Sequence, residues 1–286
     1  METDIFNRTP DDTCLLCHNN KATKTKSHII SKFLGNELKK YNNNRLKLIS
    51  SDKKSKPEQD LPEANYLYCP DCENKFGIIE TEVSRILLQI NKISYSHNFT
   101  LIAKYSEEYM IKNNKLEPAL LYLFMYIQVW RTSSFVNNLF DKTKIENVNN
   151  YRIFEYFRLN LKFEDNLRTI LNENLFLRKA ELINNLEMVK HKLSVFPFVL
   201  FTHKGNVNLE SRYFYTNTSN EDTALLYMNN FKLVMFFNNN IPNSLGPYIN
   251  SKITDANITI LSKNTWQNLD ESFKNDFWNW NKDINN

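Results

Sequence analysis

The cysteines of this 286-residue chain fall into two pairs of identical spacing, and there are no others. Cys14 and Cys17 lie in C-L-L-C, and Cys69 and Cys72 lie in C-P-D-C. Two residues between thiolates let both reach one small cation without strain, so paired C-x-x-C elements suit a tetrahedral Zn²⁺. The competing chemistry, a disulfide, needs an oxidising compartment. The opening Met-Glu-Thr-Asp-Ile has neither the basic nor the apolar region of a secretory leader, and the expected location is the cytoplasm. Four thiolates leave a zinc ion no open position, so such an ion would be structural. Between the pairs runs K-S-H-I-I-S-K-F-L, residues 26–34, which contains His28. An imidazole there could take a proton near neutral pH or simply hydrogen-bond within a zinc hairpin, and spacing leaves both open. His18, directly after Cys17, reads as a surface residue because the cysteines already complete the metal site.

Charge singles out the same region. From Asn19 to Lys56 there are eleven Lys or Arg against Glu37 and Asp52, whereas the whole chain carries only +4. A basic segment on an otherwise mildly acidic protein is the footprint of a polyanion site, which makes nucleic acid the expected partner. A solvated lysine-rich loop is the plainer alternative. Composition is otherwise that of a globular protein, with 42% hydrophobic and 13% aromatic residues. The four glycines are scattered, so no loop can bring clustered backbone amides onto a phosphate, and nucleotide-cradling loops are excluded. The longest apolar run, Ala119 to Trp130, is too short and too polar at Tyr126 and Gln128 to span a bilayer.

The elements that must position these residues follow from periodicity. Cys14 to Ile30 reads as a knuckle and then a hairpin. Ser31 to about Leu48 is weakly helical, and residues 50–63 form the most loop-like stretch, expected to be mobile. Tyr66–Tyr68 reads as a strand, and Asp71 as the cap of a helix running from Cys72 to about Lys92. Ile78, Ile79, Val83, Ile86, Leu87 and Ile90 stripe that helix. Knuckle, hairpin, then knuckle at a helix start is a treble-clef layout. Asn98 to Met188 reads as predominantly helical, strongest from Leu116 to Phe140, where Trp130 and Arg131 are expected to be packing residues. Phe154 to Phe176 and Leu177 to Lys190 read as amphipathic helices. From residue 195 to 262, β-branched and aromatic runs separated by Asn, Gly and Ser predict an antiparallel sheet, then a helix near Trp266 to Trp280. The expected fold is α+β: an N-terminal zinc-bound ββα treble clef over residues 1–92, then an accessory unit over 93–286 with helical middle and β C-terminal part.

Three stretches, C-L-L-C, S-H-I-I-S and C-P-D-C-E-N-K, resemble the HNH (ββα-metal) endonuclease superfamily in its four-cysteine zinc branch. That pattern is C-x-x-C, a strand ending D-H-I-I-P, then C-x-x-C-N at a helix start. The resemblance covers residues 14 to about 92 and weakly the F-M-Y-I-Q-V-W-R-T helix. It implies that His28 is the general base and that Glu73, at the position of the Asn, helps to hold Mg²⁺ or Mn²⁺ against the scissile phosphate. Ser27 stands where the family has an acid and can supply no anionic oxygen, while Asn74, Glu80 and Glu82 lie nearby, Glu80 and Glu82 expected to face solvent. The middle Asn of the family name has no assigned counterpart.

The implied function is metal-dependent cleavage of nucleic-acid phosphodiesters, double-stranded DNA first, with defence against invading DNA as the setting. Lys24, Lys26 and Lys32 would contact the phosphate backbone. A regulatory protein or a second copy of the chain is a further expected partner, and a membrane is not. The alternative is a treble-clef module that binds nucleic acid or protein without cleaving, its site lost through Ser27.

Overall fold

The computed structural model describes residues 8–34, 36, 46–49, 55–58, 63–89, 98–139, 165–171, 179–203, 215–220, 223–228, 231–237, 240–269 and 271–272. The architecture is mixed α+β, with a seven-stranded, largely antiparallel sheet, a central helix, and a cysteine-rich unit on the helix's other side.

In the cysteine-rich unit, β1 (Ser27–His28) pairs antiparallel with β4 (Glu63–Ala64), setting Ser27 opposite Ala64 and His28 opposite Glu63. The chain between them folds back as a second hairpin, β2 (Leu46–Ile49) against β3 (Ser55–Glu58). Two parts of the stretch expected to be loop are therefore strand: residues 55–58, and Glu63 at its end. Ladder pairing supplies what local composition lacks, since Pro57 needs no ladder donor on an edge. The strand expected at Tyr66–Tyr68 sits instead at residues 63–64, and Tyr66 adopts a left-handed φ of 59°.

Helix α1 (Pro70–Leu87) begins at the second cysteine pair. Cys69, not Asp71, is its N-cap, and Pro70 takes the first turn, where its missing N–H costs nothing. Asp71 and Glu73 lie in that turn and Arg85 in the last, matching the helix dipole. Cys72, Phe76, Ile79, Val83 and Leu87 are buried at helical spacing, so the thiol of Cys72 points the same way as the apolar stripe.

Helix α2 (Pro118–Leu139) is buried on every side from Ala119 to Thr132, as expected of a helix between two layers. One stripe, Phe124, Gln128 and Arg131, faces the cysteine-rich unit. The Phe124 ring lies 5.6 Å from Phe33, and the Gln128 Oε1 accepts the Ser31 N–H at 3.1 Å. Half a turn away, Tyr122 and Tyr126 face the sheet. Tyr122 meets Phe198 edge-on at 4.8 Å and donates to the Lys252 carbonyl, and Tyr126 donates to the Ser194 carbonyl. A continuous buried cluster thus runs from Cys14 through α2 to Ile260.

The sheet order is β5-β6-β11-β7-β10-β9-β8, antiparallel throughout except for the parallel pair β11 and β7. Its strands are β5 (Phe99–Tyr105), β6 (Glu108–Asn113), β7 (Phe198–His203), β8 (Tyr215–Asn220), β9 (Thr223–Met228), β10 (Phe231–Phe236) and β11 (Asn257–Leu261). The sheet expected over residues 195–262 is present, but β5 and β6 come from the segment read as helical. T-L-I-A-K-Y carries no clean alternation because β5 is an edge strand exposed on both faces, and E-Y-M-I-K-N, paired on both sides, carries none either; a two-residue turn at Ser106 closes the hairpin. In the helical segment, residues 165–171 and helices α3 (Lys179–Asn184) and α4 (Leu186–Lys192) are present, as is helix at 263–269. The remainder of the helices expected at 154–176 and near Trp280 lies outside the described residues. Among the described residues no helix is long and apolar enough to cross a membrane.

Candidate functional site

The four cysteines lie together. All are buried, none is in a disulfide, and their Sγ atoms all lie within 4.8 Å of one another. Cys17 and Cys69 stand 3.9 Å apart, against about 3.8 Å for two thiolates on a tetrahedral zinc with Zn–S of about 2.3 Å. The backbone builds this cage from both pairs: the His18 N–H closes the first turn on the Cys14 carbonyl, and the Glu73 N–H closes the second on the Cys69 carbonyl. His18 follows Cys17 with a left-handed φ of 55° and is exposed, as its position suggested; its ring meets Arg168 at 3.1 Å. The thiol of Cys72, hydrogen-bonded to Cys14, is pushed up by that bond and by burial, and the same bond pulls Cys14 down. Four buried sulfurs this close together are a set that can hold a metal such as zinc.

His28 lies on β1, half-buried, with its Nδ1 3.2 Å from Glu63 Oε1 across the β1–β4 ladder. The contact is close but off the in-line direction of a hydrogen bond. Burial pulls the His28 pKa below 6.5, with Arg131 and Lys32 acting the same way against the opposing Glu63 and Glu73. Burial therefore favours the neutral imidazole. Glu63 carried no signal in the sequence, since its relation to His28 is set by strand register.

Glu73, Phe76 and Glu80 recur on one face of α1 at i, i+3 and i+7, and Arg131 of α2 lies along that face. Its Nη1 donates to Glu80 Oε1 at 2.7 Å, its Nη2 stands 3.6 Å from Glu73 Oε1, and its guanidinium lies 5.2 Å from the Phe76 ring centroid and 5.8 Å from that of Tyr68. Glu80 therefore does not face solvent as expected. Two carboxylates two turns apart, with an aromatic ring between them, were the available sign that α1 takes a buried cation. Burial opposes the charge on Arg131, but Glu80 and Glu73 overcome it and raise its pKa above the ordinary value.

Several buried polar atoms at this junction have no hydrogen-bond partner among the described residues: Ser27 Oγ, His28 Nδ1, Ser31 Oγ, Glu73 Oε2, and Nε and Nη2 of Arg131. Buried polar atoms are ordinarily satisfied, and bound water is the plainest partner for these. Ser27 Oγ and Glu73 Oε2 are hard oxygen donors of the kind Mg²⁺ takes while keeping water and phosphate oxygens for its other positions. The four cysteines are the one group of three or more acidic, Cys or His ligands found close enough for metal among the described residues. Glu73 thus offers a single carboxylate, not a cage. Lys24, Lys26 and Lys32 are all exposed, and the Lys26 N–H is held by Asn65 Oδ1 at 2.9 Å.

No family model, curated protein or solved structure matches the chain.

Proposed function

We propose that the protein is an HNH-like, metal-dependent endonuclease acting on nucleic-acid phosphodiesters, double-stranded DNA first, with its zinc in a treble-clef unit. The observation that carries this reading is the pairing of His28 with Glu63 across a strand ladder, in a chain that also gathers its four cysteines. Glu63 at Nδ1 favours the tautomer with its proton on that nitrogen, leaving the lone pair of Nε2 to act as base. His28 Nε2 would take a proton from water as the water oxygen bonds to phosphorus. The opposite P–O bond breaks, and the departing alkoxide takes its proton from solvent. Glu73, whose carboxylate is favoured at a helix N-terminus, would hold Mg²⁺ or Mn²⁺, which when bound supplies positive charge beside the phosphate. Lys24, Lys26 and Lys32 would meet neighbouring phosphates without reading sequence.

A module that binds nucleic acid without cleaving is favoured by one observation: Ser27 contributes no charge to a metal site. Incubation of zinc-loaded protein with plasmid and Mg²⁺ or Mn²⁺ separates the two. Cleavage is expected, with His28→Ala lowering the rate by about 10²–10⁴-fold, the usual contribution of a general base. Binding that weakens steeply with salt, without cleavage under either metal, would leave only the module.

A further inference from the structure

We infer that Arg131 is a positioning residue of this site, one that fixes Glu73 so that its second oxygen is the one left to take a cation. The inference rests on the nuclease reading of the same site. It places part of the site on α2, far along the chain from the cysteine pairs.

The argument begins with how the guanidinium is held. Arg131 is 2% exposed, and its nearest firm anchor is Glu80, at 2.7 Å. The rings of Phe76 and Tyr68 lie close to it, 5.2 and 5.8 Å from their centroids. Those two rings meet edge-on at 5.2 Å and flank the second cysteine pair in sequence, so the cage and the guanidinium are braced by the same residues. A planar fork held at one nitrogen and against aromatic rings has little freedom to turn. Its Nη2 is thereby fixed 3.6 Å from Glu73 Oε1, an attraction at ion-pair rather than hydrogen-bond distance.

The consequence falls on Glu73. With Oε1 drawn towards Arg131, Oε2 is buried and has no hydrogen-bond partner among the described residues. The same holds for Ser27 Oγ on β1. Glu80, Arg131 and Glu73 together carry one negative charge more than positive. An unpartnered, partly desolvated carboxylate oxygen in such a group is stabilised by one further cation. Arg131 thus stands behind Glu73 as an outer partner stands behind a metal ligand, setting which oxygen points inward. Because Tyr122 and Tyr126 on the far face of α2 grip Phe198 and the Ser194 carbonyl, the position of Arg131 is also tied to the sheet.

The test uses full-length, zinc-loaded protein and Mn²⁺ alone, with free Mn²⁺ read by electron paramagnetic resonance. Wild type is expected to bind Mn²⁺ and Glu73→Gln to lose it. Arg131→Lys keeps the charge but loses the fork, and should weaken Mn²⁺ at least about tenfold while zinc content stays unchanged. A merely structural cation would be rescued by lysine, so wild-type Mn²⁺ affinity in Arg131→Lys overturns the inference and leaves the nuclease reading standing. Should Arg131→Lys not fold, Glu80→Gln, which loosens the anchor of Arg131, is expected to weaken Mn²⁺ where Glu82→Gln does not; equal affinity in both overturns it. Absence of Mn²⁺ binding in wild type overturns the inference and the metal-dependent reading together.

Discussion

The two faces of α2 are held by different forces. Towards the sheet the contacts are apolar or satisfied: Tyr122 against Phe198, and tyrosine hydroxyls on the Lys252 and Ser194 carbonyls. Towards the cysteine-rich unit they are charged, and several polar atoms there have no hydrogen-bond partner among the described residues. A fold can bury an apolar face at no electrostatic cost, whereas buried unpaired polar atoms cost free energy unless something fills them. The sheet face is what stability alone would produce. The other face departs from it, and a departure of that kind is where a site of function is to be sought.

Removing the ion should break the comparison most severely. The cysteine-rich unit has only short strands, and structural zinc contributes about 10–16 kcal/mol of apparent binding free energy in small domains. Chelation, or Cys72→Ala, is expected to expose residues 8–89 to limited proteolysis while the sheet stays protected. Unchanged protection of both regions would mean that packing, not an ion, holds the cage.

Substitution on each face of α2 should sharpen the contrast at intermediate size. Arg131→Met strands Glu73 and Glu80 and should cost about 3–5 kcal/mol, the loss seen when one partner of a buried pair is removed. Phe198→Ala should cost a similar ~3–5 kcal/mol by cavity formation. The two differ in salt and pH dependence of the unfolding midpoint, which only Arg131→Met should alter. Identical dependence in both would erase the distinction between the faces.

The smallest effect is that of pH on His28. Its folded pKa lies below 6.5 because burial disfavours the imidazolium. On acidification the unfolded chain therefore takes the proton first, so the stabilisation is complete above 6.5 and is lost as pH falls through the folded value. Denaturation midpoints measured against pH should fall less steeply in His28→Gln than in wild type. Glu63→Gln, which removes a charge that raises the His28 pKa, should extend that loss to lower pH and enlarge it. A slope identical in wild type and His28→Gln would place the imidazole in solvent.

Much of this was legible locally. The cysteine spacing gave the metal cage, because two residues between thiols is a short-range geometric fact. The stripe of Ile79, Val83 and Leu87 gave α1, and the apolar run of 119–130 pointed to a helix there. The misreadings were of another kind. Residues 99–113 were read as helix because β5, an edge strand open on both faces, has no alternation to detect, and the internal strand β6 carries none either. Glu80 was assigned to solvent because, read along α1 alone, nothing reveals that another helix delivers a cation there.

By itself the sequence determined which segments could form helices, that four thiols could share an ion, and that positive charge gathers beside them. Only the tertiary structure decided that Glu63 faces His28, that Arg131 joins Glu73 to Glu80, and that a hairpin from residues 99–113 completes the sheet. The reason is physical. Periodicity records which side of an element is buried, whereas strand register and helix packing choose what it is buried against, and those choices are made between residues far apart in the chain.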